Sequence, residues 1–348
     1  MGKARDKREA EVLKAREGDF LETNEHLIFD VKGLIHPPDR VIAYLRYYPD
    51  SSGDRIRKNQ RFSKIYPISE RYEFLRKFFP QYLFYDSFSK LMLQAIPLDF
   101  IKKRYDPAQR LKEIAEKGAQ DSVEKDVMAF GNIIREASGI SVENIGISGS
   151  VLVGLHKDES DIDLIVYGSR NCWKVYEALE RLLDDSNSRV RKYDEKGLKN
   201  MFDFRVRGAP VSFRDFVECE KRKRLQGYFN TRDFFIRFVK DWGEISEEYG
   251  DSSYESVGRC NVQGIVIDES EAIFTPCKYI LGKSEVISGV KVKAIREIVS
   301  YRGRFCEQAR TGERVSASGK IEFVKSKDGE KYYRLLLGGN ERDFMILL

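Results

Sequence analysis

Residues 145–166 constrain the fold of this chain more than any other stretch. They read Ile-Gly-Ile-Ser-Gly-Ser-Val-Leu-Val-Gly-Leu-His-Lys-Asp-Glu-Ser-Asp-Ile-Asp-Leu-Ile-Val. Apolar residues at 145 and 147, a small-residue turn at Gly149-Ser150, and a second apolar run from Leu164 predict strand, tight turn, short helix, strand. Side chains alternate across a strand, so Asp161 and Asp163 share one face while Ile162 and Leu164 point into the core. Two carboxylates so placed repel each other unless a cation sits between them. An oxygen-lined site of this kind suits Mg²⁺, which takes one or two carboxylates and completes its shell with phosphate oxygens. The turn at Gly149-Ser150 starts a helix whose free N–H groups can hold a phosphate. Together these are the parts for phosphoryl or nucleotidyl transfer.

The remaining sequence sets the frame. A length of 348 residues predicts two or three domains. Charged residues make up 34% of the chain, above the usual quarter or so, with both signs abundant. That pattern predicts an ion-paired surface and fits a heat-adapted source. The net charge of +5 permits a phosphate-rich partner without requiring one. Five cysteines (172, 219, 260, 277 and 306) form no C-x-x-C pair, so a reducing cytoplasm is expected and a zinc knuckle is not. With three histidines in all, a histidine-based metal centre is nearly excluded. No apolar run reaches membrane-spanning length, the N-terminus lacks an apolar signal core, and no membrane partner is expected.

Along the chain, residues 1–17 read as a solvated helix or loose tail ended by Gly18. Strand-like content follows at 20–32, 40–48 and 62–66, then helical patterns near 69–78 and 85–95. Asp106-Pro107 reads as an N-cap followed by a first-turn proline, and Asp121 with Glu124 as a capping box. Val123, Val127, Phe130 and Ile134 form the buried stripe of the helix that follows. Residues 194–228 look mainly helical and 234–239 a buried strand, with an acidic linker at 244–253. Beyond 254 the character is β. Strands at 262–267 and 272–280 precede a hairpin, 315–324 and 331–337, closed by Lys327-Asp328-Gly329.

The signature Gly149-Ser150, then Asp161-Ile162-Asp163-Leu164, resembles that of the DNA polymerase beta-like nucleotidyltransferase superfamily. Ser160-Asp161-Ile162-Asp163-Leu164 is similar to the version in CCA-adding enzymes and small bacterial nucleotidyltransferases. Over more of its length, including Phe29-Asp30-Val31-Lys32-Gly33 and Ile273-Phe274-Thr275-Pro276-Cys277, the chain resembles an archaeal family of predicted nucleotidyltransferases.

The resemblance implies a mixed α+β, multidomain chain. Its nucleotidyltransferase core (a small mixed sheet with helices, residues 106–245) is flanked by an N-terminal α+β domain (1–105) and a C-terminal OB-like β-barrel (254–348). It implies that Gly149, Ser150 and Ser160 contact a nucleoside triphosphate, that Asp161 and Asp163 hold two Mg²⁺ ions, and that a third carboxylate stands on a neighbouring strand. Asp203, Asp215 and Asp233 are the candidates for that acid. Asp233 opens the one convincing strand, on which Phe235 and Arg237 share its face. A different register would put Phe235 in the acid's place and leave the metal two ligands. The implied reaction moves a nucleoside monophosphate to an acceptor hydroxyl, on RNA or DNA, releasing pyrophosphate. The alternative is a catalytically degenerate scaffold that binds nucleic acid or protein. His156 and Lys157 read either as phosphate contacts or as surface-loop residues, and the run Lys221–Arg224 as a nucleic-acid channel or a solvated basic face.

Overall fold

The computed structural model describes residues 14–206 and 208–348, so the expected helix or tail over residues 1–17 lies almost wholly outside the described residues. The chain is a mixed α+β protein with several sheets, and it falls into two compact units that alternate along the sequence. The first holds the residues up to Ser87, Leu91–Ala178 and Thr231–Tyr249; the second holds Phe88–Lys90, Leu179–Asn230 and Gly250–Leu348.

The first unit begins with a meander: β1 (Phe20–Thr23), β2 (Ile28–Val31), β3 (Arg40–Pro49), β4 (Arg55–Arg57) and β5 (Gln60–Lys64). Helix α1 (Ile68–Phe78) follows, then β6 (Leu83–Asp86), β7 (Leu91–Pro97) and β8 (Ile101–Tyr105). These make an eight-stranded sheet in the order β4-β5-β3-β2-β1-β8, with β7 also paired to β3 and β6 to β7. The long strand β3 alternates half-buried and buried side chains: Val41, Ala43 and Leu45 pack into one core cluster, and past a register shift against β2 Tyr47 packs into another. The helix expected near 85–95 is absent. Tyr85 and Met92 face each other across β6 and β7, and the turn between these strands holds Lys90 at φ 55°. A dense apolar run of that length does not distinguish helix from buried hairpin, and strand pairing decided it.

Helix α2 (Pro107–Lys117) starts as its sequence predicts, with the Asp106 carboxylate accepting from the Ala108 and Gln109 N–H groups. Helix α3 (Ser122–Ser138) is capped by Asp121 and buries Val123, Val127, Phe130 and Ile134 completely. Glu124 closes back onto the Gln120 N–H at 2.9 Å and also receives Arg110. Then come β9 (Ile145–Ile147), the single turn α4 (Gly149–Leu152), β10 (Ile162–Tyr167) and α5 (Ser169–Asp184), within which the boundary between the units falls.

The second unit opens with β11 (Val190–Arg191), α6 (Glu195–Arg205), α7 (Phe213–Glu220) and β12 (Gln226–Phe229). Residues 194–228 are mainly helical as expected, in two helices, and end in the short strand β12. The chain returns to the first unit as β13 (Arg232–Val239), which runs parallel to β10, while β9 lies antiparallel on the other side of β10.

The rest of the second unit is β14 (Ser252–Asp268), β15 (Cys277–Gly289), β16 (Glu297–Ser300), β17 (Arg314–Ser326), β18 (Lys331–Leu337) and β19 (Phe344–Leu347). Strand β14 pairs with both β15 and β17, so the order β14-β15-β16-β18-β17 closes into a ring, with β16 and β18 parallel and β19 added to β17. Closure removes the exposed edges that five separate strands would present. Buried ion pairs brace the ring: Glu322, 1% exposed, receives Arg334 at 2.8 Å and Lys320 at 2.5 Å.

Candidate active site

The site is built at the turn between β9 and β10. The Ser148 N–H donates to the Asp163 carbonyl at 2.8 Å, and the Ser148 hydroxyl donates to the Gly18 carbonyl at 2.6 Å. Gly149 has φ +62°, a conformation that L side chains rarely adopt. A Cβ placed on it would lie 2.0 Å from the Asp163 Oδ2. Glycine is thus required twice over, by backbone angle and by the carboxylate lying against it. The helix that follows is one turn long, so any anion held here would meet the N–H groups of the turn rather than a developed helix dipole. Leu152, Val153 and Leu155 behind the turn pack with Phe20, Ile28, Tyr47 and Phe62 of the meander, which fixes the turn to that sheet.

Asp163 is half-buried and Asp161 exposed. Burial, then the charge of Asp161, pushes the Asp163 carboxyl up to about 7, eased by Arg237, Arg46 and Lys64. A carboxylate held so near neutrality is one that a divalent cation would ionise. Ser150 and Ser160 are both buried. The Ser160 hydroxyl accepts from the Lys157 N–H at 2.9 Å, which ties it into the turn that leads to Asp161.

The register of β13 against β10 sets Phe234 beside Ile162, Phe235 beside Asp163 and Arg237 beside Ile165. Parallel pairing keeps partner side chains on one face, so Phe235 and Arg237 flank Asp163. Asp233, exposed at the start of β13, is one step further out and level with Asp161. The three aspartates do not gather into a compact triad. Among the described residues, the metal-capable side chains that meet in threes within 4.8 Å are Asp121, Glu124 and His156. All three are already engaged in holding the fold. Asp121 caps α3, Glu124 receives Arg110 and the Gln120 N–H, and His156 Nε2 bonds Asp121 Oδ2 at 2.8 Å.

The meander brings residues to the site that no local motif announces. Arg46 from β3, Lys64 from β5 and the buried Tyr47 all lie within electrostatic reach of the two aspartates. Burial pushes the Tyr47 hydroxyl up to about 12, so it stays protonated and can only donate to an anion. The stretch Phe29–Gly33 sits next to them. Lys32 bridges Asp30 at 2.8 Å and the fully buried Glu17 at 3.0 Å, and Glu17 also accepts from the Gly33 N–H at 2.7 Å and pairs with Arg237. Lys157 pairs with Asp54.

Elsewhere, all four cations of the run 221–224 meet a carboxylate: Lys221 with Glu218, Arg222 with Glu313, Lys223 with Glu220 and Arg224 with Glu180. That run is consumed within the second unit. Asp268 accepts from the Ser270 N–H as an ordinary turn residue, and all five cysteines are buried free thiols. No helix among the described residues is long and apolar enough to cross a membrane.

No family model matches the chain, and no solved structure matches it. It is 30% identical, over 340 residues, to uncharacterized protein MJ1086 of Methanocaldococcus jannaschii, an alignment spanning 95% of this chain and 98% of that one. An identity of that extent through both compact units makes the chain a member of the same family as this archaeal protein.

Proposed function

We propose that the chain is a Mg²⁺-dependent nucleotidyltransferase that moves a nucleoside monophosphate from a nucleoside triphosphate to an acceptor hydroxyl. The observation that carries this reading is the fit between Gly149 and the Asp163 carboxylate beside Asp161. Glycine takes this backbone angle without strain, and its missing side chain leaves room for the Asp163 carboxylate to lie against the turn, which sets a metal-capable group beside the turn's N–H donors. The donor set fits a hard cation: two carboxylates on one face, one of them held near neutrality by burial and its neighbour. Asp161 and Asp163 would hold the metal, which when bound would neutralise charge growing on the leaving pyrophosphate and acidify the acceptor hydroxyl.

The chain's own residues position the substrate. The N–H groups at Gly149 and Ser150 face a phosphate at the turn. The protonated Tyr47 hydroxyl offers a further donor. Attack by the acceptor oxygen forms a bond to the α-phosphorus as the bond to the pyrophosphate oxygen breaks, and the proton lost from the acceptor passes to solvent. Most of the acceleration comes from alignment and preorganised charge. The ring of the second unit has an OB-like order, in which the third and fifth strands are parallel, and OB-like barrels grip oligonucleotides. By analogy of fold, RNA or DNA is the proposed acceptor.

The register supports a second reading. Phe235 stands beside Asp163 and Asp233 lies at the exposed end of β13, as expected of a degenerate scaffold that binds without catalysing. Incubation with each labelled triphosphate, Mg²⁺ and total cellular RNA separates the two. Label transferred to RNA and lost in Asp161→Ala supports the enzyme. Salt-sensitive RNA binding, with no transfer and no effect of Asp161→Ala or Asp233→Ala, supports the scaffold.

A further inference from the structure

We infer that Arg46 and Lys64, supplied by the meander, form the polyphosphate-binding pole of this site; the inference rests on the nucleotidyltransferase reading above. Most of the cations around the two aspartates are committed to other partners. Arg237 is paired with buried Glu17, Lys157 with Asp54, Arg57 with Glu22, and Arg232 with Asp126. Arg55 donates to the Leu155 carbonyl at 2.5 Å.

Arg46 and Lys64 are different. Among the described residues neither has a carboxylate partner, and neither makes a hydrogen bond or ion pair with Asp161 or Asp163, although both act on Asp163 through space. Both rest on one aromatic ring: the Arg46 guanidinium lies 5.0 Å from the centre of Tyr66, the Lys64 ammonium lies 4.2 Å from it, and Lys64 donates to the Tyr66 hydroxyl at 2.7 Å. Adjacent strands hold them together, since Tyr47 pairs with Lys64 and the Ile65 N–H donates to the Arg46 carbonyl at 3.1 Å. Burial and the neighbouring Arg46 hold the Lys64 ammonium below its usual range, opposed by Tyr66 and Asp161.

The site thus has two poles that do not neutralise each other directly, a carboxylate pair on β10 and a cation pair on β3 and β5. A magnesium polyphosphate is the complementary ligand: its cation goes to the carboxylates and its oxygens to the guanidinium and ammonium. A monophosphate lacks the length and charge to satisfy both.

Calorimetric titration of the full chain with inorganic tripolyphosphate and with inorganic monophosphate, each in EDTA and in Mg²⁺, tests this. Tripolyphosphate should bind at least tenfold more tightly than monophosphate, and should bind in EDTA as well. Arg46→Gln and Lys64→Gln should each weaken it about tenfold or more in both conditions, with Arg46→Lys and Lys64→Arg recovering part of the loss and thermal melting reporting the fold. Asp161→Asn should leave binding in EDTA intact and remove the gain from Mg²⁺. Tripolyphosphate binding that both glutamine variants leave within twofold of wild type, no binding by the wild type, or equal affinity for monophosphate would overturn the inference. Nucleotide transfer that needs Asp161 but not Arg46 or Lys64 removes this inference and leaves the proposed function. Tripolyphosphate binding through Arg46 and Lys64 without any transfer does the reverse.

Discussion

Gly149 and Asp163 are fitted to each other: the carboxylate occupies the space that a side chain at Gly149 would need, with Oδ2 only 2.0 Å from the position of a Cβ. The contact ties the turn after β9 to the carboxylate on β10, so backbone conformation and charge placement are one feature of the fold.

Gly149→Ala should therefore both strain the backbone and displace Asp163. Positive φ alone costs about 1–2 kcal/mol for a residue with a Cβ, and the clash adds to it. Urea denaturation should show the loss. Adding Asp163→Ala should return part of it, because the clash disappears and the backbone strain remains. Measured against Asp163→Ala alone, a double variant whose loss equals the sum of the two single losses would mean that the two residues are not coupled.

Glu17 tests the support behind the site. It is fully buried and receives Lys32, the Gly33 N–H and Arg237. Glu17→Gln leaves two cations facing a neutral amide and should cost about 3 kcal/mol, in the range for breaking a buried ion pair. Denaturant unfolding measures it, and a change below about 0.5 kcal/mol would contradict the assigned role.

His36 gives a pH signature. Its Nε2 donates to the Ala15 carbonyl at 2.8 Å while Nδ1 accepts from the Ile42 N–H, so the neutral ring is the form that fits. Burial holds the imidazole down at about 4, against the opposing pull of the Ala15 carbonyl. A folded-state value below the unfolded one means that the unfolded chain takes up the proton first. Stability should fall as pH drops from about 6.5 to about 4, by at most about 3 kcal/mol from this group. In His36→Gln the stability loss over that window should be visibly shallower, as read by melting temperature against pH.

Lys223 and Glu220, each only a few per cent exposed, form an ion pair at 2.7 Å in the second unit. Lys223→Ala should cost about 3–5 kcal/mol while leaving the salt dependence of RNA binding unchanged. A reduced salt slope with unchanged stability would return the run 221–224 to the nucleic-acid role.

Local chemistry made much of this legible in advance. The caps at Asp106 and Asp121, the stripe of α3, the turn at Gly149 and the Lys327–Gly329 hairpin are written within a few residues of where they act. The hidden parts depend on partners distant in sequence. Arg46 and Lys64 look like ordinary polar-face strand residues until the meander is set beside β10, about a hundred residues later. The register of β13, which puts Phe235 rather than an acid beside Asp163, follows from pairing and not from composition. The first half of β14, Ser252–Asn261, is too polar to declare itself, and pairing with β17 along its length, joined by β15 only from Cys260, makes it a strand.

Pyrophosphate release from each of the four nucleoside triphosphates, with Mg²⁺ and total cellular RNA, is the most direct test of the paired-aspartate claim. The expected result is release by the wild type that requires Mg²⁺ and vanishes in both Asp161→Ala and Asp163→Ala. Release that survives both substitutions, or none from the wild type with any of the four, would contradict it.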